Sequence, residues 1–295
     1  MKTYGFVHLE FGSQHRQQSL DMLGQFRQEL VKGGDVAHLV VVDNASSGGL
    51  QAWRSEGFQS ALVTGGDNSN REFSGWDVGV AALLAQAPPP DIWVFSNDTV
   101  ALHHGWGRRK IAHYAREQSK FRAHTGPWLF GEINDFPKSL ITPLGPQLEW
   151  VSSYLFSLNE SLRAGLETIS PGNALLDSLV RDHFEPGLGL FNENIHSDYG
   201  SFMSDWLVQD EADVTGKVRY KWYKAAPLTA ATFDELRMKA RCCLSESMLS
   251  LRARRFGADI RSPYDARSAR EHVRKSCQFV SDKIGEKLIM HRHRS

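Results

Sequence analysis

The run Val36-Ala37-His38-Leu39-Val40-Val41-Val42 constrains the fold most, because it is almost continuously apolar and bounded by polar residues. A strand that is apolar on both faces has to be covered on both, as strands are in a parallel sheet sandwiched between helices. The neighbouring segments keep the matching rhythm. Tyr4 to Leu9 reads as a strand, and Ser13 to Lys32 carries Leu20, Leu23, Phe26 and Leu30 at helical spacing before Gly33-Gly34 stops it. Phe58 to Val63 follows as a strand, and Gly75 to Gln86 as a helix closed by Pro88-Pro89-Pro90. Ile92 to Phe95 then reads as another buried strand. This alternation predicts an α/β fold with a Rossmann-like, mostly parallel central sheet flanked by helices.

The second half is less regular. Trp128 to Ile133 and Trp150 to Leu158 read as strands, and Ala174 to His183 and Gly200 to Val208 as helices. Two charged amphipathic helices are expected at Leu236 to Phe256 and Ala266 to His291. The formal net charge of the 295 residues is zero, which gives no argument for a nucleic-acid partner. That zero hides an asymmetry: from Arg241 onward there are 13 Lys/Arg against 6 Asp/Glu, so the first 240 residues hold 21 against 28. A basic tail on an acidic body is attracted to anionic surfaces, although a solvated helical face has the same composition. The N-terminal segment reads as a strand and not a signal peptide, and no apolar stretch reaches the roughly 18 residues of a membrane span. The expectation is a cytoplasmic protein with peripheral contact at the inner membrane face. Cys242, Cys243 and Cys277 form neither a CxxC pair nor a zinc knuckle and are expected to be reduced.

In a sheet of this kind ligands bind beyond the carboxyl ends of the strands, so the residues after each strand carry the functional information. After Val42 comes Asp43-Asn44-Ala45-Ser46-Ser47-Gly48-Gly49, and after Phe95 comes Ser96-Asn97-Asp98-Thr99. Asp43 can accept hydrogen bonds from a nucleobase or ribose, or it can simply cap the strand-to-loop turn. Asn70-Arg71-Glu72-Phe73-Ser74-Gly75-Trp76-Asp77 opens the next helix, with Gly75 where a backbone could approach a ligand. Asp98 suits Mg²⁺ or Mn²⁺, which take hard oxygen ligands and commonly one or two protein carboxylates plus phosphate oxygens. Asn97 or Thr99 would be its neutral helper.

VVVDNASSGG, NREFSGWDVGV and VFSNDTV together resemble the nucleotide-binding half of family 2-like GT-A glycosyltransferases. The likeness is to bacterial enzymes of surface polysaccharide synthesis, the rhamnan-synthesis type among them, and it covers residues 1 to 160. GPWLFGEIND and LEWVSSYLFSLNESL look like the family's segment behind the acceptor site. The resemblance implies a GT-A-like domain over 1–235, divided into a nucleotide-binding half (1–125) and an acceptor half (126–235), with 236–295 as a basic helical extension. It implies a nucleotide-sugar donor, a glycan or lipid-linked glycan acceptor, and inversion at the anomeric carbon. Asp43, Asn44, Ser46, Asn70, Gly75, Asp77 and Asn97 would line the nucleotide pocket, and Asp98 would hold the divalent cation. The family's metal motif is often Asp-x-Asp, whereas Ser96-Asn97-Asp98 is one carboxylate short.

An inverting transfer needs a base for the acceptor hydroxyl. The segment Phe191 to Gly200 has the composition for it, with Asp198 and Glu193 as the candidates and His196 third, although Asp198 could merely cap a helix. Glu132 with Asp135, and His103 with His104, are further polar clusters near the strand ends. GxSxG, HExxH, GxxxxGK[ST] and GxGxxG are missing, which argues against hydrolase, zinc protease, NTPase and dehydrogenase chemistry. The alternative is a non-catalytic GT-A-like protein that scaffolds a polysaccharide assembly complex.

Overall fold

The computed structural model describes residues 1–53, 55–103, 106–209 and 221–264. Met1–Ser262 forms one compact unit, and Pro263–Ser295 is a second. The expected helix at 266–291 and Cys277 lie outside the described residues.

The first unit opens with β1 (Thr3–Glu10), α1 (Arg16–Leu30) and β2 (Val36–Asp43). A short β3 (Gln51–Trp53) and β4 (Ser60–Gly65) follow, then α2 (Glu72–Leu84) and β5 (Ile92–Asn97). One helical turn, α3 (Val100–His103), precedes α4 (Arg108–Ser119). The chain then forms a long hairpin of β6 (Trp128–Thr142) and β7 (Gly145–Asn159). Helices α5 (Glu160–Leu166), α6 (Asn173–Leu179), α7 (Ser197–Leu207) and α8 (Phe233–Arg255) complete the body with a short β8 (Asp259–Arg261).

The eight strands form one sheet in the order β3-β4-β2-β1-β5-β7-β6-β8. β1 pairs in parallel with β2 and β5, and β2 with β4, so the core of the sheet is the parallel arrangement expected from the sequence. β7 joins β5 antiparallel and brings the hairpin alongside. Side chains alternate across this sheet. Tyr4, Phe6, Leu39, Val41 and Val94 face α1 and α4, packing against Leu23, Phe26 and Tyr114. Val7, Val40, Val42, Trp93 and Phe95 face α2, α5 and α8, packing against Trp76, Leu162 and Leu249. The apolar run of β2 therefore feeds both faces, as its lack of alternation requires.

Three elements differ from the sequence reading. The hairpin strands are 15 residues each, because they continue past their apolar portions into polar stretches that keep pairing through register shifts at Gly131/Ile133 and Asp135/Leu140. Gln51–Trp53 is a strand although its exposed residues carry no burial pattern. The helix assigned to the extension, α8, instead packs within the first unit, with Leu244, Met248 and Leu249 fully buried. Among the described residues no helix is long and apolar enough to cross a membrane.

Candidate functional site

The chain passes from β1 outward through β2 and β4, then crosses back to place β5 on the other side of β1. That reversal leaves a crevice at the carboxyl ends of β1 and β5, the position where open α/β sheets bind ligands. One short loop after β1 ties together the two aspartates selected from the sequence. The Phe11 amide donates to Asp98 Oδ2 at 3.2 Å, and the next amide, Gly12, donates to Asp43 Oδ1 at 2.8 Å. Asp43 Oδ1 also accepts from Ala45 N at 2.9 Å, which closes its own turn. Phe11 itself is 63% exposed, an aromatic ring left in solvent on this loop.

Behind this loop lies a charge pair that the sequence reading did not select. Glu10, fully buried at the end of β1, accepts a bidentate hydrogen bond from the Arg16 guanidinium at the start of α1. Arg16 also stands 3.8 Å from Asp43 Oδ2. Burial raises the Glu10 pKa, and Arg16 opposes the rise. Burial also raises the Asp98 carboxyl above its ordinary value, with the Phe11 amide and His15 acting in the other direction and Glu72 adding to the rise. On the same strand His8 is buried, shares a 2.9 Å hydrogen bond between Nδ1 and Ser96 Oγ, and is driven down to about 3 by burial. It is a neutral core histidine.

The other residues selected from the sequence divide into rim and scaffold. Asn97 stays at the rim, its Oδ1 accepting from Thr99 Oγ1 at 2.9 Å. Ser46 Oγ accepts from Gly48 N at 3.0 Å and shapes the loop after β2. Asn44 is buried and donates to the Arg71 carbonyl at 2.8 Å, linking that loop to the start of α2. Gly75 lets α2 approach β1: a Cβ there would run into Leu9 Cδ1 and come within 3.0 Å of Asn44 Oδ1. Its smallness is used by protein atoms. Asn70 is fully buried and donates to Ser170 Oγ at 3.1 Å and Ser245 Oγ at 2.7 Å. Asp77 accepts from Ile169 N at 2.6 Å and Ser170 N at 3.1 Å. Asn70 and Asp77 are thus engaged in holding the segment after α5 against α2 and α8.

Asp198 lies in the first turn of α7 and pairs with Lys138 Nζ at 3.0 Å. The cap of that helix is His196, which accepts from Asp198 N at 3.2 Å. Glu193 is exposed in the preceding loop. Glu132 accepts from Tyr154 Oη, with Lys110 Nζ at 3.8 Å, whereas Asp135 is exposed. His104 lies outside the described residues.

A second polar group lies where α8 packs against β7 and was also missed. Ser153 N, on β7, donates to Glu246 at 2.6 Å. Lys239 Nζ sits 5.7 Å from the Trp206 ring centroid and 5.9 Å from that of Trp222. The available signal was a single acid, Glu246, between Ser245 and Ser247 in an otherwise apolar stretch of helix. A cavity of about 310 Å³ lies at the opposite, amino end of the strands, where Lys2 pairs with Asp91 and Arg122 with Asp35. Its charges are matched by protein, and the carboxyl rim, where the strand order reverses, is the better candidate site. Among the described residues no group of three or more His, Cys, Asp or Glu converges to hold a metal ion.

No family model and no curated protein matches the sequence. Among solved structures the chain is similar to a mannosyltransferase from Pyrobaculum calidifontis in complex with GDP-Man and Mn²⁺. The identity is 12%, over 86% of this chain and 73% of that chain, with a TM-score of 0.35.

Proposed function

We propose that the chain is a nucleotide-sugar-dependent glycosyltransferase that moves a sugar to a hydroxyl of a glycan or lipid-linked glycan, with inversion, in bacterial surface polysaccharide synthesis. The observation that carries the reading is the bracketing of one loop by Asp43 and Asp98 at the point where the strand order reverses. Two carboxylates and an exposed aromatic ring at that crevice suit a nucleoside better than a small neutral ligand. Asp43 would take hydrogen bonds from base or ribose, and Phe11 would offer its ring face to the base.

Asp98 would hold a divalent cation. The fit follows from its chemistry: a half-buried carboxylate, raised by burial, has hard oxygens to offer. A lone carboxylate suits a cation that completes its shell with phosphate oxygens of the donor. When bound, such a cation would offset the charge that develops on the departing diphosphate. The carboxylate that Ser96-Asn97-Asp98 lacks against Asp-x-Asp favours a second reading, a non-catalytic binding protein of a polysaccharide assembly complex. The basic surplus after residue 240 supports a cytoplasmic protein that touches the inner membrane face peripherally.

Thermal shift with UDP, GDP, CMP and dTDP, each with and without Mn²⁺, tests the donor site on wild type and Asp98→Ala. One nucleotide at about 100 times its Kd is expected to raise Tm by roughly 5–10 °C, and Asp98→Ala to abolish the Mn²⁺-dependent part. No shift with any nucleotide contradicts the donor site. A shift without turnover of the sugar donor favours the binding protein.

A further inference from the structure

We propose that Glu246, on the inward face of α8, is the catalytic base that takes the proton from the acceptor hydroxyl. The inference rests on the transferase reading above and assigns the group that the donor site does not supply.

The placement comes from strand register. β5 and β7 run antiparallel, and Ser96 is paired with Leu155 at the carboxyl end of β5. Asp98 lies two residues beyond Ser96 in the turn after β5, while β7 continues through Ser153, two residues past Leu155, beyond the end of β5. Neighbouring strands are roughly 4.8 Å apart. The Ser153 amide holds the Glu246 carboxylate at 2.6 Å, which fixes Glu246 by backbone beside β7, just past the carboxyl end of β5. Glu72, the first residue of α2, links the two electrostatically, since its field acts on both Asp98 and Glu246.

The sequence candidate is placed differently. Asp198 is paired with Lys138, and Lys138 lies between Asp135, which pairs with Glu149, and Leu140, which pairs with Gln147. Glu149 is already four residues from Ser153, so that contact sits on the order of 13 Å farther toward the hairpin turn.

Glu246 also has the surroundings of a base. Lys239, Cys243 and Glu246 recur at i, i+4 and i+7 and share one face of α8. All three keep solvent contact although protein surrounds them, as side chains on the floor of a cleft do. Lys239 is steadied by the Trp206 and Trp222 rings. Burial raises the Glu246 pKa, while Lys239 and the Ser153 amide and hydroxyl favour its charged form. The other titratable groups facing it are Glu72 from α2, Cys242 and Cys243 on its own helix, and Tyr199 from α7. An ionised carboxylate of raised pKa is a stronger base than an ordinary one.

In the step, the acceptor O–H bond breaks and its proton passes to Glu246. The acceptor oxygen forms a bond to the anomeric carbon, and the bond from that carbon to the diphosphate oxygen breaks. The electron pair leaves with the nucleoside diphosphate. When no acceptor is present, water takes the hydroxyl's place.

The test uses the full chain as wild type, Glu246→Gln, Glu246→Ala and Asp198→Asn. Binding is read as the nucleoside-diphosphate thermal shift with Mn²⁺, and chemistry as diphosphate release from UDP-, GDP- and dTDP-sugars. Glu246→Gln is expected to keep the thermal shift and lose release by roughly 10²- to 10⁴-fold. Formate is expected to restore part of the release in Glu246→Ala, and the acid limb of the wild-type pH profile is expected to vanish in Glu246→Gln. Release by Glu246→Gln within about tenfold of wild type overturns the assignment, since a positioned base contributes at least 10²-fold. Loss that formate does not rescue also overturns it, as does loss confined to Asp198→Asn. A wild type with neither shift nor release on any donor sinks the transferase reading itself.

Discussion

Asp77 shows how an acid in a functional-looking motif can be committed to structure. Its carboxylate receives the Ile169 and Ser170 amides, and burial still pushes it up from 3.8 to about 6. A raised folded-state pKa means the fold favours the protonated form. The stability this contributes is complete below about pH 3.8 and is lost as pH rises through about 6. A rise of that size corresponds to roughly 3 kcal/mol. Asp77→Asn cannot ionise, so urea unfolding at stepped pH should show wild type losing roughly 3 kcal/mol relative to the variant between about pH 4 and pH 7. A difference that stays flat with pH would contradict the account. Asp43, Asn97 and Asp98 were legible because they end strands whose apolar runs are unmistakable. Glu10 and Arg16 were not, because a buried ion pair between a strand end and a helix start has no periodic signature. Asn70 and Asp77 sat in the right motif, but their partners Ser170, Ser245 and Ile169 are nearly 100 or more residues away, and no local pattern reveals them.

At the scale of elements, α2 packs close because its inward residues are small. A methyl at Gly75 would meet Leu9 Cδ1, and one at Gly79 would meet Val7 Cγ1 and come within 3.0 Å of Val42 Cγ2. Gly75→Ala is therefore expected to destabilise by roughly 1–3 kcal/mol. Gly24, inside α1, has open space where a methyl would stand, with no atom within 4 Å, so Gly24→Ala should instead stabilise by up to about 1 kcal/mol. Thermal unfolding of the two variants checks the pair, and equal effects would contradict the packing described for α2. The helices and strands of the first half were readable because each packs through a regular apolar face. The hairpin was readable only in part: Trp128–Ile133 and Trp150–Leu158 are apolar, whereas Asn134 to Ser139 contains Pro137, Lys138 and Asp135 and is held in the sheet by pairing across bulges. α8 was found as a helix, and it packs within the first unit. Its charged residues suggested a solvated surface, yet Arg241 reaches Asp177 and Arg252 the carbonyls of Leu166, Thr168 and Ile169, so the cations serve as fasteners.

At the scale of the whole molecule, the sheet's reversal sets where a ligand belongs, and α8 sets what faces it. Asp98 and Asp43 come from strand ends, Glu72 from the start of α2, and Glu246 from a helix nearly 150 residues beyond Asp98. Acids gathered at one crevice disfavour a bare diphosphate and favour one that arrives with a cation. The most direct measurement is release of nucleoside diphosphate from UDP-, GDP- and dTDP-sugars by the full chain with saturating Mn²⁺, wild type against Asp98→Asn. The account predicts turnover with one donor class, reduced by roughly 10²- to 10³-fold in the variant, the loss typical of a removed charge-stabilising group. Turnover unaffected by Asp98→Asn, or no turnover with any of the three donors, would contradict it.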